Sequence, residues 1–170
     1  MNNTNKLVKA SIFLALGVLF PIVFHMFKLG GKMFLPMHIP VLLAGVYLNP
    51  ILGLIVGALT PILSSTLTGM PILFPIGFIM MFELAAYGFF ISLFFNKLKM
   101  NKYFALILTL LIGRVIAGLA VYILVLNTQI QLKPLAYVKG SIVTGLPGIV
   151  IQLILIPILI TYLKNSQKSF

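Results

Sequence analysis

Glu83 is the only acidic residue in a chain of 170, and it stands inside the apolar run "IMMFELAAYGFF". Arg114 stands inside a second such run, "LTLLIGRVIAGLAVY". A charge held at the middle of a bilayer costs roughly 2.5–3.5 kcal/mol on insertion scales, so each residue needs a reason to be there. Glu83 lies about 11 residues, and Arg114 about 12, from the same end of its run, which at 1.5 Å per residue places both roughly 16–18 Å deep. They can therefore meet. An arginine–carboxylate pair would neutralise both charges. Two uses of such a pair stay open: a structural salt bridge inside a helix bundle, or a pair that lines or supports a polar ligand pocket.

A second group of residues breaks helix where helix is expected. "FLPMHIPVLLAG" places His38 between Pro36 and Pro40. Proline donates no backbone hydrogen bond and pushes the preceding residue out of helical geometry. Non-helical backbone at membrane depth is tolerated only where it is covered by protein or lines a wet cavity. The stretch therefore reads as a broken lead-in to a helix, facing a cavity, with His38 as a neutral donor or acceptor there or as a histidine satisfied by a nearby carbonyl. His25 reads rather as an interfacial residue. "SSTLTGMPILFP" has the same character: Ser64, Ser65, Thr66 and Thr68 supply hydroxyls, while Gly69, Pro71 and Pro75 break helix. "TGLPG" at 144–148 is a third breaker, followed by Gln152. Three such stretches on one side resemble the broken-helix logic of transporters. Lys28, Lys32, Lys133 and Lys139 fall on that side without a balancing acid, and such a surface would draw in a small anion.

Catalytic readings fare poorly. There is no HExxH, no GxSxG and no pair of carboxylates, so two-carboxylate and zinc-hydrolase mechanisms are excluded. No phosphate-binding loop and no second acid for magnesium are present, so the chain is not expected to hydrolyse ATP or to be an enzyme. Cysteine is absent, which removes disulfides and thiolate metal sites. No metal or cofactor is expected.

The elements that must position these residues follow from composition. The chain is 61% hydrophobic and 8% charged, with a mean hydropathy of +1.20. No water-soluble domain of this length can hide that much apolar surface. A net charge of +11 raises nucleic acid as a partner, but the basic residues stand singly between apolar segments, as loop charge does in a membrane protein, and nucleic-acid binding is not expected. Residues 7–27 are too long for a signal-peptide core and lack a cleavage motif, so they read as the first span. Spans are expected at 7–27, 37–48, 51–67, 72–95, 103–126 and 139–163, within one transmembrane domain over 1–170. The second is too short to cross as a straight helix and must be tilted and sheltered, turning at "NP". Counting 34–67 as one span plus a stub would give five helices instead. With six, Lys6, Lys9, Lys97, Lys99, Lys102, Lys164 and Lys168 fall on one side, opposite the four lysines named above. That bias predicts both termini on the cytoplasmic side of a multi-pass protein of the cell membrane. Small residues should pack the helices: Gly53 and Gly57, Gly113 and Ala117, and Ser11 with Ala15 all show small-xxx-small spacing.

Taken together, "FLPMHIPVLLAG", "GLIVGALTPILSSTLTGMP", "MMFELAAYGFF" and "GLPGIVIQLILIP" resemble the S components of energy-coupling factor (ECF) vitamin transporters, over nearly the whole chain. The resemblance implies an all-α bundle of six transmembrane helices in the prokaryotic plasma membrane that binds one water-soluble micronutrient with high affinity from outside. It implies docking onto a transmembrane T protein and two ABC-type ATPases, and toppling in the membrane when ATP is used. The first helix of such proteins meets the T protein through an AxxxA motif, here Ser11 and Ala15 with serine in the first place. The family's site lies in the outer half, which implicates His38, Ser64, Ser65, Thr68, Glu83, Tyr87, Arg114, Lys139 and Gln152. The proline–histidine stretch and "LTGMP" look most like the pantothenate-specific members. A pyridoxine-type compound, a pyrimidine precursor and niacin remain alternatives. A stand-alone transporter driven by protons through Glu83, and a ligand-free assembly subunit, are the competing functions.

Overall fold

The computed structural model describes residues 3–26, 31–128, 130 and 132–168, and among these every regular element is helical. Helix α1 covers Asn3–Met26, α2 Gly31–Phe34, α3 His38–Tyr47, α4 Pro50–Thr68, α5 Phe78–Ser92, α6 Lys102–Asn127 and α7 Pro134–Lys168. A π turn, Leu73–Gly77, in which Phe74 is extended and not helical, leads into α5, and a π-helical turn, Leu93–Lys97, extends its far end. Five segments are long and apolar enough to cross a bilayer: Thr4–Phe24, Pro50–Thr68, Leu73–Lys97, Lys102–Asn127 and Pro134–Tyr162. The protein is an all-α, multi-pass membrane protein.

Helix α3 has 10 residues, about 15 Å of rise, too little to span alone. It survives because protein surrounds it: His38 through Leu42, Ala44, Gly45 and Val46 are all buried. The apolar run from 34 to 67 is not one long helix. Leu48 is extended, and the Asn49 side chain accepts a hydrogen bond from the Leu52 amide at 2.8 Å. Pro50 then begins α4, where its missing N–H costs nothing. The chain folds back as a helical hairpin with Gly45 against Gly53. At this hairpin Ser92 Oγ donates to the Leu48 carbonyl at 2.8 Å and Asn96 Nδ2 to that of Val46 at 2.9 Å. The last carbonyls of α3 are thereby satisfied from α5.

Helices α4 and α5 make the tightest pair in the bundle. A side chain at Gly53 or Gly57 would strike the backbone of Gly88 or Leu84, and one at Gly88 would strike that of Gly53. Lipid gives no hydrophobic drive for helix association, so this backbone approach supplies the packing. Contacts at two levels fix the directions: Phe13 meets Tyr47 while Gly17 meets Thr60, Gly53 meets Gly88 while Gly57 meets Leu84, and Lys102 meets Pro157 while Gly118 meets Val138. Thus α1, α4 and α6 run one way, and α3, α5 and α7 the other. The described chain begins and finishes at one end of the bundle, and the α4–α5 and α6–α7 connections lie at the other.

The expected break at "TGLPG" is absent. Helix α7 begins at Pro134 and continues through Pro147 and Pro157 to Lys168. A proline removes one N–H, here the partner of the Val143 carbonyl, and a helix can bend there without ending. The flanking glycines serve packing instead: a side chain at Gly148 would strike the backbone of Met33 and Phe34. "TGLPG" is the notch into which the α2–α3 turn fits.

Candidate functional site

A cavity of about 570 Å³ lies at the end of the bundle away from the described chain ends. Six pieces of chain wall it. Pro21 comes from α1, Leu35 to His38 from the α2–α3 turn, and Met70 to Ile72 from the α4–α5 connection. Ile76, Met80 and Glu83 come from the π turn and α5, and Arg114 from α6. Ala136, Tyr137, Gly140, Ser141 and Thr144 come from α7.

Local sequence rules explain how these pieces reach the cavity. Leu35 has φ of 51°, a left-handed conformation that leucine adopts only when its surroundings enforce it. Its side chain packs at Gly145 of α7. The His38 amide donates to the Leu35 carbonyl at 3.1 Å, closing a turn around Pro36 from which α3 starts. Pro40 then falls in the first helical turn, where the lost donor has no partner anyway. The lead-in is broken, as its two prolines require, and it delivers His38 to the cavity wall. Phe74 precedes Pro75 and has φ −127° and ψ 130°, the extended geometry that a following proline favours. Gly69 has φ of 73° at the end of α4, so the chain turns back over the cavity mouth.

Glu83 and Arg114 meet. Arg114 Nη1 lies 2.7 Å from Glu83 Oε1, and both side chains are almost wholly buried. The Tyr87 hydroxyl donates to the same oxygen at 2.8 Å from one helical turn along α5. Gly113 makes this possible, since a side chain there would occupy the Tyr87 ring. His38 Nε2 stands 3.9 Å from Glu83 Oε1, beyond hydrogen-bond distance. The His38 and Tyr87 rings face each other at 5.4 Å. His38 is 2% exposed, yet neither of its ring nitrogens has a hydrogen-bond partner among the described residues. A buried polar group without a partner is costly, so this ring beside the cavity stands out from the otherwise satisfied polar groups around it.

Among the residues implicated by the sequence, His38, Glu83 and Arg114 come together on the cavity wall. Tyr87 lies behind them, fully buried, as the support of Glu83. Ser64, Ser65 and Thr68 are not lining residues. Ser64 Oγ donates to the Met70 carbonyl at 2.7 Å, and Ser65 Oγ to that of Pro71 at 2.6 Å. Thr68 Oγ1 donates to the Ser64 carbonyl at 2.7 Å and accepts from the Met70 amide at 3.2 Å. These hydroxyls hold the connection whose Met70, Pro71 and Ile72 do line the cavity. Lys139 is exposed on α7 and is not a lining residue. Gln152 is fully buried deeper in α7, with neither amide atom partnered. Ser11 and Ala15 are exposed on α1, where the Ser11 hydroxyl bonds only back to the Leu7 carbonyl at 3.0 Å. Lys28 and the side chains of His25, Lys32, Lys164 and Lys168 lie outside the described residues.

The sequence reading missed Tyr137, Ser141 and Thr144. Their spacing of i, i+4 and i+7 is that of one helix face, and it was the available signal. The expected start of the last span at Lys139 cut the face in two. Among the described residues no cluster of acids or histidines fit to hold a metal ion is found.

The family model described as "ECF transporter, substrate-specific component" matches residues 5–160. Neither a curated protein nor a solved structure matches the chain.

Proposed function

The chain belongs to the substrate-specific components of ECF transporters, and from that premise we propose that it captures a water-soluble vitamin or vitamin precursor in the cavity walled by His38, Glu83 and Arg114. The protein is a substrate-binding subunit of a transporter and not an enzyme. The reading is carried by one observation: a largely apolar cavity that converges on a buried, hydrogen-bonded ion pair and an unpartnered histidine. Pockets that recognise small molecules have this composition, apolar walls with a few fixed polar groups. The ion pair is locked before any ligand arrives, so little ordering is required on binding.

On this reading the cavity opens to the outside of the cell membrane and both chain ends are cytoplasmic, in keeping with the lysine distribution. Pantothenate, a pyridoxine-type compound, a pyrimidine precursor and niacin are the candidate ligands. The energy comes from partners: the T protein and two ATPases. Helix α1 supplies the contact, since Ser11 and Ala15 present small side chains on its exposed face. Glu83 does not carry protons in this scheme, because Arg114 and Tyr87 already hold it.

The test is mass spectrometry of small molecules retained by the purified protein, followed by calorimetric titration of the compound found. A retained vitamin-like compound that rebinds the emptied protein is expected. A flat titration across the water-soluble vitamins would remove the reading.

A further inference from the structure

Resting on the substrate-binding reading above, we infer that the cavity takes an uncharged, amphipathic molecule bearing hydroxyl or amide groups on one edge, and rejects carboxylate and phosphate anions.

The charges of the wall decide this. Among the described residues, Glu83 and Arg114 are the only formally charged side chains that line the cavity, and they lie 2.7 Å apart. The described part of the wall therefore carries no net charge before a ligand enters. An anion drawn to Arg114 must share it with Glu83, which puts two negative charges against one guanidinium whose side chain is only 10% exposed. Excess charge in that setting costs several kcal/mol. A cation drawn to Glu83 meets the mirror-image penalty. Lys139, the nearest lysine in sequence to the lining face of α7, is exposed and does not line the cavity, so it does not offset an incoming anion.

The remaining polar groups favour a neutral partner. A neutral imidazole offers one donor and one acceptor, and both His38 nitrogens are buried without partners. Hydroxyls and N–H-bearing amides can answer both, whereas a carboxylate, like an unprotonated ring nitrogen, answers only the donor. Tyr137 and Thr144 on α7 can likewise donate and accept, while Ser141 Oγ donates to the Val138 carbonyl at 2.9 Å and is left to accept. Met37, Met70, Met80, Ile72 and Ile76 add apolar lining from the other chain segments. Unbranched thioethers adapt to an irregular ligand body. The candidate ligands thus divide: the pyridoxine-type and pyrimidine alcohols satisfy the wall, while pantothenate and nicotinate bring a carboxylate.

The experiment compares matched pairs that differ in charge. Panthenol and pantothenate, nicotinamide and nicotinate, and pyridoxine and 4-pyridoxate are titrated calorimetrically at neutral pH into the full chain in lipid nanodiscs. The uncharged member of the pair that binds is expected to bind at least ~100-fold tighter than its carboxylate. E83Q, which leaves Arg114 without its counter-charge, is expected to narrow or invert that preference. A carboxylate that binds the unaltered protein as tightly as its neutral partner, or tighter, overturns the inference and leaves vitamin capture standing. If no member of any pair binds, the inference falls, and the vitamin reading is then decided by the compound that the purified protein retains.

Discussion

Replacing Arg114 by alanine should be the most damaging single change in the bundle, and its cost can be worked from the geometry. Arg114 Nη1 touches Glu83 Oε1 at 2.7 Å, and both side chains are buried. With charge centres near 4 Å, Coulomb's law at an effective dielectric of about 20 gives about 4 kcal/mol of attraction. Removing one partner of a buried pair costs about 3–5 kcal/mol, because the other charge stays behind uncompensated. Removing both, as in E83Q with R114M, should cost far less than the sum of the single changes. A double-mutant cycle on unfolding in lipid bicelles measures the difference as a coupling energy. The expected coupling is at least ~2 kcal/mol. Neutral interhelical contacts in membranes average only about 0.6 kcal/mol. A coupling at or below that level would refute the argument that the pair neutralises itself inside the bundle.

Three further outcomes follow from other contacts. H38A should weaken ligand binding by about tenfold or more, the loss of roughly one hydrogen bond or more. Its cost to unfolding should come from the lost packing of the ring against Tyr87 and not from lost hydrogen bonds, since the ring nitrogens have no partner among the described residues. S64A combined with S65A should speed amide hydrogen exchange across residues 69–77, because the two hydroxyls bind the Met70 and Pro71 carbonyls. The loss should be about 1–3 kcal/mol of local stability, and exchange equal to that of the unaltered protein would contradict it. A15L on the exposed face of α1 should abolish co-purification with the T protein and ATPases while ligand titration stays unchanged.

The cost of charge in lipid made the centre of the site legible from sequence. Glu83 and Arg114 sit at matching depths in neighbouring runs, and only a contact between them makes both tolerable. The prolines around His38 were informative for the same kind of reason, since a proline's backbone limits hold in any surroundings. Hydroxyls were less informative. Ser64, Ser65 and Thr68 stand beside the site in sequence, but the left-handed turn at Gly69 brings the chain back over them. Their hydroxyls then serve that chain's own carbonyls. A string of residue types does not show which of two acceptors, backbone or ligand, a serine will meet. "TGLPG" misled because proline in a long helix signals a bend as well as an end. The backbone of Met33 and Phe34 that needs Gly148 bare lies more than a hundred residues away in sequence.

An experimental structure of the protein with the compound it retains tests the account most directly. The account predicts that compound in the cavity between α3, α5, α6 and α7, with a polar atom within hydrogen-bond distance of His38 or Arg114. A ligand held elsewhere, with Met70 and Ile72 collapsed onto Glu83 and the cavity filled by side chains, would contradict it.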